Sequence, residues 1–166
     1  MSTPARARSL VRVKRVYEPP ADADGLRVLV DRLWPRGLSK DKARVDLWLR
    51  DVAPSDALRR RVHAGEAPGA AFARAYADEL EQEPAHSAAR ALLQRVGAEA
   101  VTLLYAARDP VHNNAVVLRA WLAARLGATA AKRAHPVRRP ASHRPRPASA
   151  GRRRRAITPL IGLTSS

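Results

Sequence analysis

A chain of 166 residues is long enough for one domain. Its 31 Lys and Arg against 15 Asp and Glu, a formal net charge of +16, mark it as strongly basic. The absence of cysteine excludes disulfides, thiolate nucleophiles and cysteine-based zinc sites. No stretch approaches the roughly 18 consecutive apolar residues of a membrane span, and no apolar core follows the basic N-terminus as it would in a secretory signal, so the expected location is the cytoplasm.

Residues 1–9 read as an arm. From Leu10 to Tyr17, the apolar Leu10, Val11, Val13 and Val16 alternate with Arg12, Lys14 and Arg15, which predicts a first strand. The Pro- and Asp-rich segment ending at Gly25 is a loop. The rest of the chain is organised around Leu26 to Ser39, L-R-V-L-V-D-R-L-W-P-R-G-L-S. Val28, Leu29 and Val30 suit a strand covered on both faces. Pro35 has no N–H and pushes Trp34 toward extended geometry, Gly37 turns the chain, and Ser39 caps a short helical turn with Asp41 near its positive end.

Val45 to Val52 alternates, with Val45, Leu47 and Leu49 on one side, and supports another strand, a helix through Leu49 being the alternative. Ala53-Pro54-Ser55 ends it and caps a helix through about Val62. A loop from His63 to Pro68 precedes a helix over 69–82, with Phe72, Tyr76 and Leu80 on one face. Pro84 ends that helix. Ser87 is expected to open the next, with Leu92, Leu93 and Val96 inward and Gly97 as its stop. Val101 to Ala106 is the second buried strand. A polar loop from Ala107 to Asn114 leads into an amphipathic helix carrying Val116, Val117, Trp121, Leu122 and Leu126, capped by Asn113 or Asn114 and closed by Gly127.

Beyond Gly127 the composition changes. The last acidic residue is Asp109, and ten basic residues lie between Lys132 and Arg155. That leaves 21 basic against 15 acidic residues elsewhere, so the folded part is only moderately basic. The pattern predicts an α/β fold: a single compact domain over 10–127 with a small, mostly parallel sheet flanked by helices. A disordered Arg/Pro/Ala-rich tail over 128–166 would follow, with a weak apolar patch at Ile157 to Leu163 and non-specific contact to nucleic acid through its arginines.

In open α/β sheets ligands bind beyond the carboxyl ends of the strands. That rule points to two polar loops, 31–37 and 105–114. Asp31, Asp109 and His112 are candidates for acid/base work, and Arg32, Arg36, Tyr17, Tyr105, Arg108 and Asn113 for ligand binding, with Lys14 and Arg15 able to join them. Asp31, Asp109 and His112 are a weak ligand set, and no metal is assigned. No P-loop, G-x-S-x-G or H-E-x-x-H motif is present, and the sequence leaves any cofactor unknown. Three readings stay open. One is an enzyme acting on a small phosphorylated or nucleotide-like substrate. Another is a non-catalytic or regulatory module that recognises a nucleotide, an anionic metabolite or nucleic acid. The third makes these groups an internal salt-bridge network, Asp31 pairing with an arginine to hold its loop.

Several stretches also carry a family resemblance: Lys14-Arg15-Val16-Tyr17, V-L-V-D-R-L-W-P-R-G-L-S-K over 28–40, D-L-W-L-R-D-V-A-P-S over 46–55, Phe72 with Tyr76 and Glu79-Leu80, V-T-L-L-Y-A-A-R-D over 101–109 and N-N-A-V-V-L over 113–118. Over roughly 11–126 the chain resembles the YeaO-like branch of the domain of unknown function 488 family. The resemblance implies a compact α/β fold in which the two polar loops face each other. Some members bear transcriptional-regulator or methyltransferase labels. This chain has neither a glycine-rich loop after a first strand nor a helix-turn-helix recognition helix. It departs from relatives in having Asn114 where a histidine is usual, His112 being the nearest, and Arg61 where a tryptophan is frequent.

Overall fold

In the computed structural model, residues 11–134 are described. The expected arm over 1–9, the tail beyond Ala134 and the patch at Ile157 to Leu163 lie outside the described residues. Four strands, β1 (Val11–Arg15), β2 (Leu26–Leu29), β3 (Leu47–Trp48) and β4 (Val101–Tyr105), form one sheet in the order β1-β4-β2-β3, every pair parallel. Val101 stands opposite both Val11 and Leu26, which sets the register of the three main strands. All five residues of β4 are buried, as an interior strand of a parallel sheet requires.

The helices are α1 (Lys40–Ala43), α2 (Asp56–His63), α3 (Gly69–Glu79), α4 (Ala85–Val96) and α5 (Asn114–Ala134). Ser39 and Ser55 cap α1 and α2 as expected, each side chain accepting from a backbone N–H three residues on. One face of the sheet, with Val11, Val28, Val30, Val101, Leu103 and Tyr105, packs against α2 to α5. Tyr76 of α3 is fully buried there, its hydroxyl donating to Val52 O at 2.6 Å. The other face is closed by a smaller cluster, in which Val16, Leu29, Ala43 and Leu104 meet Trp34, Leu38, Val45 and Trp48. No helix among the described residues is long and apolar enough to cross a membrane.

Three local expectations change. The strand predicted over 45–52 shrinks to Leu47–Trp48, because the Asp46 carboxylate accepts from Arg27 N at 2.8 Å and Arg50–Val52 turns into a 3-10 helix. Helix α4 opens at Ala85, ahead of Ser87, whose N–H and hydroxyl both bond to the Glu83 carboxylate inside the first turn. Helix α5 runs through Gly127 to Ala134. A glycine inside a helix costs only ~1 kcal/mol, Gly127 keeps a negative φ, and the alanine-rich segment after it sustains the helix.

At Gly25 the chain turns into β2 with φ 63°. A Cβ there would lie 2.3 Å from Ala100 O, so the close approach that starts β2 beside β4 needs glycine.

Candidate anion-binding cleft

The carboxyl ends of β1, β2 and β4 open into one cleft of about 690 Å³. Loops 31–37 and 105–114 lie side by side along one wall, joined by the bonds of Asp31 to Ala106 and Asn114. Seven of the nine expected site residues line it: Tyr17, Asp31, Arg32, Arg36, Asp109, His112 and Asn113. The other two do not. Tyr105 follows Val101 and Leu103 in the strand alternation, so its ring enters the main core, where burial pushes its phenol pKa up. Arg108 is exposed and outside the lining. Lys14 is also diverted, forming an ion pair with Asp24 at 3.1 Å.

Asp31 is the most constrained residue of the cleft. Its Oδ2 accepts from Ala106 N at 2.8 Å and its Oδ1 from Asn114 Nδ2 at 3.0 Å. Asn114 Nδ2 also donates to Val30 O at 2.9 Å, which fixes the amide orientation. The Trp48 indole N–H donates to Asp31 O at 2.7 Å. The carboxylate therefore ties the end of β2 to the end of β4 and the start of α5. Among the described residues, Asp31 forms no ion pair with an arginine. Burial pushes the Asp31 pKa up, against the Asn114 and Ala106 bonds that favour the charged form.

Asp109 is exposed and equally occupied. Its Oδ1 accepts from the N–H groups of Val111 and His112, and its Oδ2 lies 2.9 Å from His112 Nδ1. The backbone N–H groups of His112 and Val111, with the His112 ring, hold its pKa down at about 2. Asn113 is the N-cap of α5: its Oδ1 accepts from Val116 N, and its Nδ2 donates to Asp109 O. The fold already uses both ends of that amide.

The arginines are freer. Arg32 Nε is 3.7 Å from Asp56 Oδ1, and Arg59 Nη1 is 3.2 Å from the same oxygen. One exposed carboxylate thus spaces two guanidinium groups, one from each wall. Such exposed pairs contribute little stability and leave N–H donors for a ligand. The exposed Arg36 is placed by its own backbone, which accepts from Tyr17 OH at 3.0 Å. Arg15 Nε donates to Ala107 O at 3.1 Å, and its guanidinium lies 4.9 Å over the Tyr17 ring, so the end of β1 braces both loops.

The second wall was not found from sequence. It consists of Arg59, Val62 and His63 of α2, the turn at Ala67 and Pro68, and Gly69 and Phe72 of α3. His112 packs on Gly69 so closely that a Cβ there would lie 3.0 Å from its Cδ2. Pro68 gives α3 no side-chain cap, so the positive end of that helix also abuts the cleft. The lining therefore combines cations with planar and apolar surface from Tyr17, Trp34, Pro35 and Phe72. Among the described residues no group of His, Asp and Glu gathers as a metal site.

A family model described as "Inactive DUF488-N3 subclade" matches residues 10–141. The "Uncharacterized protein YeaO" of Escherichia coli (strain K12) is 38% identical over 112 residues, covering 68% of this chain and 96% of that one. The "Uncharacterized protein Mb3100c" of Mycobacterium bovis and the "Uncharacterized protein Rv3073c" of Mycobacterium tuberculosis (strain ATCC 25618 / H37Rv) are each 45% identical over 109 residues, covering 65% of this chain and 89% of theirs. No solved structure matches.

Proposed function

The chain belongs to the DUF488 family, in the subclade described as inactive, and from that premise we propose that it is a non-catalytic module that binds a small nucleotide-like anion in its cleft. One observation carries this reading. Arg32, Arg36 and Arg59 line the cleft with donors to spare, while both oxygens of each lining carboxylate, Asp31 and Asp109, are engaged by the protein itself.

Guanidinium groups recognise phosphate or carboxylate by paired N–H donors. Aromatic and apolar walls suit a flat ring attached to that anion, and the cleft volume falls in the range of small-molecule pockets. Asp31 is met by the carboxamide of Asn114, where the resemblance implies histidine in relatives. A carboxamide transfers no proton, which agrees with the subclade's description. The rival enzyme reading, on a small phosphorylated substrate, rests on the Asp109–His112 pair, which has the form of an oriented base.

Titration calorimetry of the full-length protein with the four common nucleoside monophosphates tests the proposal. At least one is expected to bind more tightly than inorganic phosphate or the matching nucleoside alone. Arg59→Ala should weaken it roughly 10- to 100-fold, the loss of one charge-assisted hydrogen bond, with the thermal melt unchanged because the Arg59 side chain is 36% exposed. Binding unaltered by Arg59→Ala and Arg36→Ala would sink the proposal. Turnover abolished by His112→Gln would establish the enzyme reading instead.

A further inference from the structure

We propose that Asn114 reads the ligand's base: an amino group of the base donates to the Asn114 carboxamide oxygen inside the cleft, while the phosphate stays with the arginines. The inference rests on the nucleotide reading above. Asn114 lines the cleft and is only 9% exposed. Both hydrogens of its Nδ2 are committed, one to Val30 O at 2.9 Å and one to Asp31 Oδ1 at 3.0 Å. The amide therefore cannot turn over to offer an N–H to a ligand. Its Oδ1 accepts no hydrogen bond from the described residues. Among those residues, the one unpartnered side-chain nitrogen or oxygen sealed from water is Arg32 Nε. Asn114 Oδ1 thus opens into accessible space, and the cleft is the space that Asn114 lines.

The surroundings sharpen this acceptor. The Asp31 carboxylate sits against Nδ2, which polarises the amide and strengthens Oδ1 as an acceptor. The same carboxylate repels a phosphate. Arg36 is exposed, and Arg32 and Arg59 are each about one-third exposed, so the cations lie toward the open side. Acceptors inside and cations outside match a nucleotide that enters base first, with the anion trailing. Ala53 and Ala67, buried in the lining, supply no side-chain donor in place of the ligand's. A base with hydrogen where the amine should be leaves Oδ1 stripped of water and unpaired, and a keto oxygen there sets acceptor against acceptor. A site built on such an acceptor rejects an analogue that lacks the donor more strongly than an apolar pocket separates shapes.

Competition calorimetry on the full-length protein tests this. The tightest of the four common nucleoside monophosphates is expected to be amine-bearing: adenosine, guanosine or cytidine monophosphate. It should bind about 10-fold or more tightly than its counterpart with hydrogen in place of the amine, respectively purine riboside, inosine or pyrimidinone riboside monophosphate. Arg59→Ala should weaken each pair alike and keep the preference. Asn114→Leu removes the acceptor at similar volume and should abolish the preference. It also removes two structural bonds, and if it fails to fold the comparison in the wild type decides alone. Uridine monophosphate as the tightest ligand overturns the inference. So does binding that depends on Arg59 but tolerates loss of the amine, and either result leaves the binding module standing. A preference that survives in folded Asn114→Leu overturns the assignment to Asn114. No binding of any nucleotide removes both proposals.

Discussion

Asp31→Ala is expected to destabilise the protein by about 3 kcal/mol, a fall in Tm of roughly 10 °C. The carboxylate is the acceptor for Ala106 N–H at the end of β4 and for the Asn114 amide at the start of α5. Alanine leaves the Ala106 N–H without an acceptor in a site that is largely shielded from water, and it opens a gap where three elements meet. The pH dependence has a definite sign. The folded-state pKa of Asp31 lies above its ordinary value of 3.8, so its contribution is fully present below 3.8 and is lost as pH rises through the folded value. The stability gap between wild type and Asp31→Ala should therefore widen as pH is lowered from neutral toward 3.8. Urea denaturation at several pH values reads it. Equal stability of the two proteins, or a gap that narrows on acidification, contradicts the structural role assigned to Asp31.

Arg27→Ala should cost more, about 3–5 kcal/mol, because it removes one partner of a buried ion pair. Arg27 is 4% exposed on β2. Its Nη1 meets Asp24, its Nη2 donates to Ala43 O at 2.9 Å, and its Nε donates to Arg44 O at 3.0 Å. One guanidinium thus neutralises a buried carboxylate and satisfies two carbonyls at the end of α1. Arg27→Lys should rescue little, since an ammonium is a point charge and cannot span three acceptors in one plane. Burial alone would raise the Asp24 pKa. The bonds from Ala21 N–H, Lys14 and Arg27 outweigh that and hold it below 3.8. The linkage therefore runs opposite to that of Asp31. The contribution is present above 3.8 and lost as pH falls through the folded value. The gap between wild type and Arg27→Ala should shrink under acid. A variant as stable as wild type at neutral pH would show that this polar network does not hold the end of α1 to β2.

These two residues also mark what the sequence could and could not convey. Val28 to Val30 and Val101 to Tyr105 are apolar runs, so a parallel, doubly covered sheet followed directly, and the Ser39 and Ser55 caps are local chemistry that any context preserves. The two polar loops were legible because each follows a buried strand. The partner of Asp31 was not. A carboxylate between arginines reads as half of an ion pair, whereas the fold gives it a backbone N–H and a side-chain amide from 75 and 83 residues away respectively. Arg59 carries no sequence sign of a place at the site, because only tertiary packing brings α2 across the cleft from loop 31–37. Tyr105 was misplaced because its neighbours in sequence are site residues while strand alternation directs its ring into the core. Arg27, inside a strand, gives no sequence sign that an acid three residues earlier will be buried with it.

Equilibrium dialysis of the full-length protein against nucleoside monophosphates, with chromatography of the recovered ligand, tests the central claim most directly. The account predicts that at least one nucleotide is retained by the wild type, is lost from Arg59→Ala, and is recovered chemically intact. Recovery as nucleoside, free base or any other product would contradict it, as would the absence of retention for every nucleotide tried.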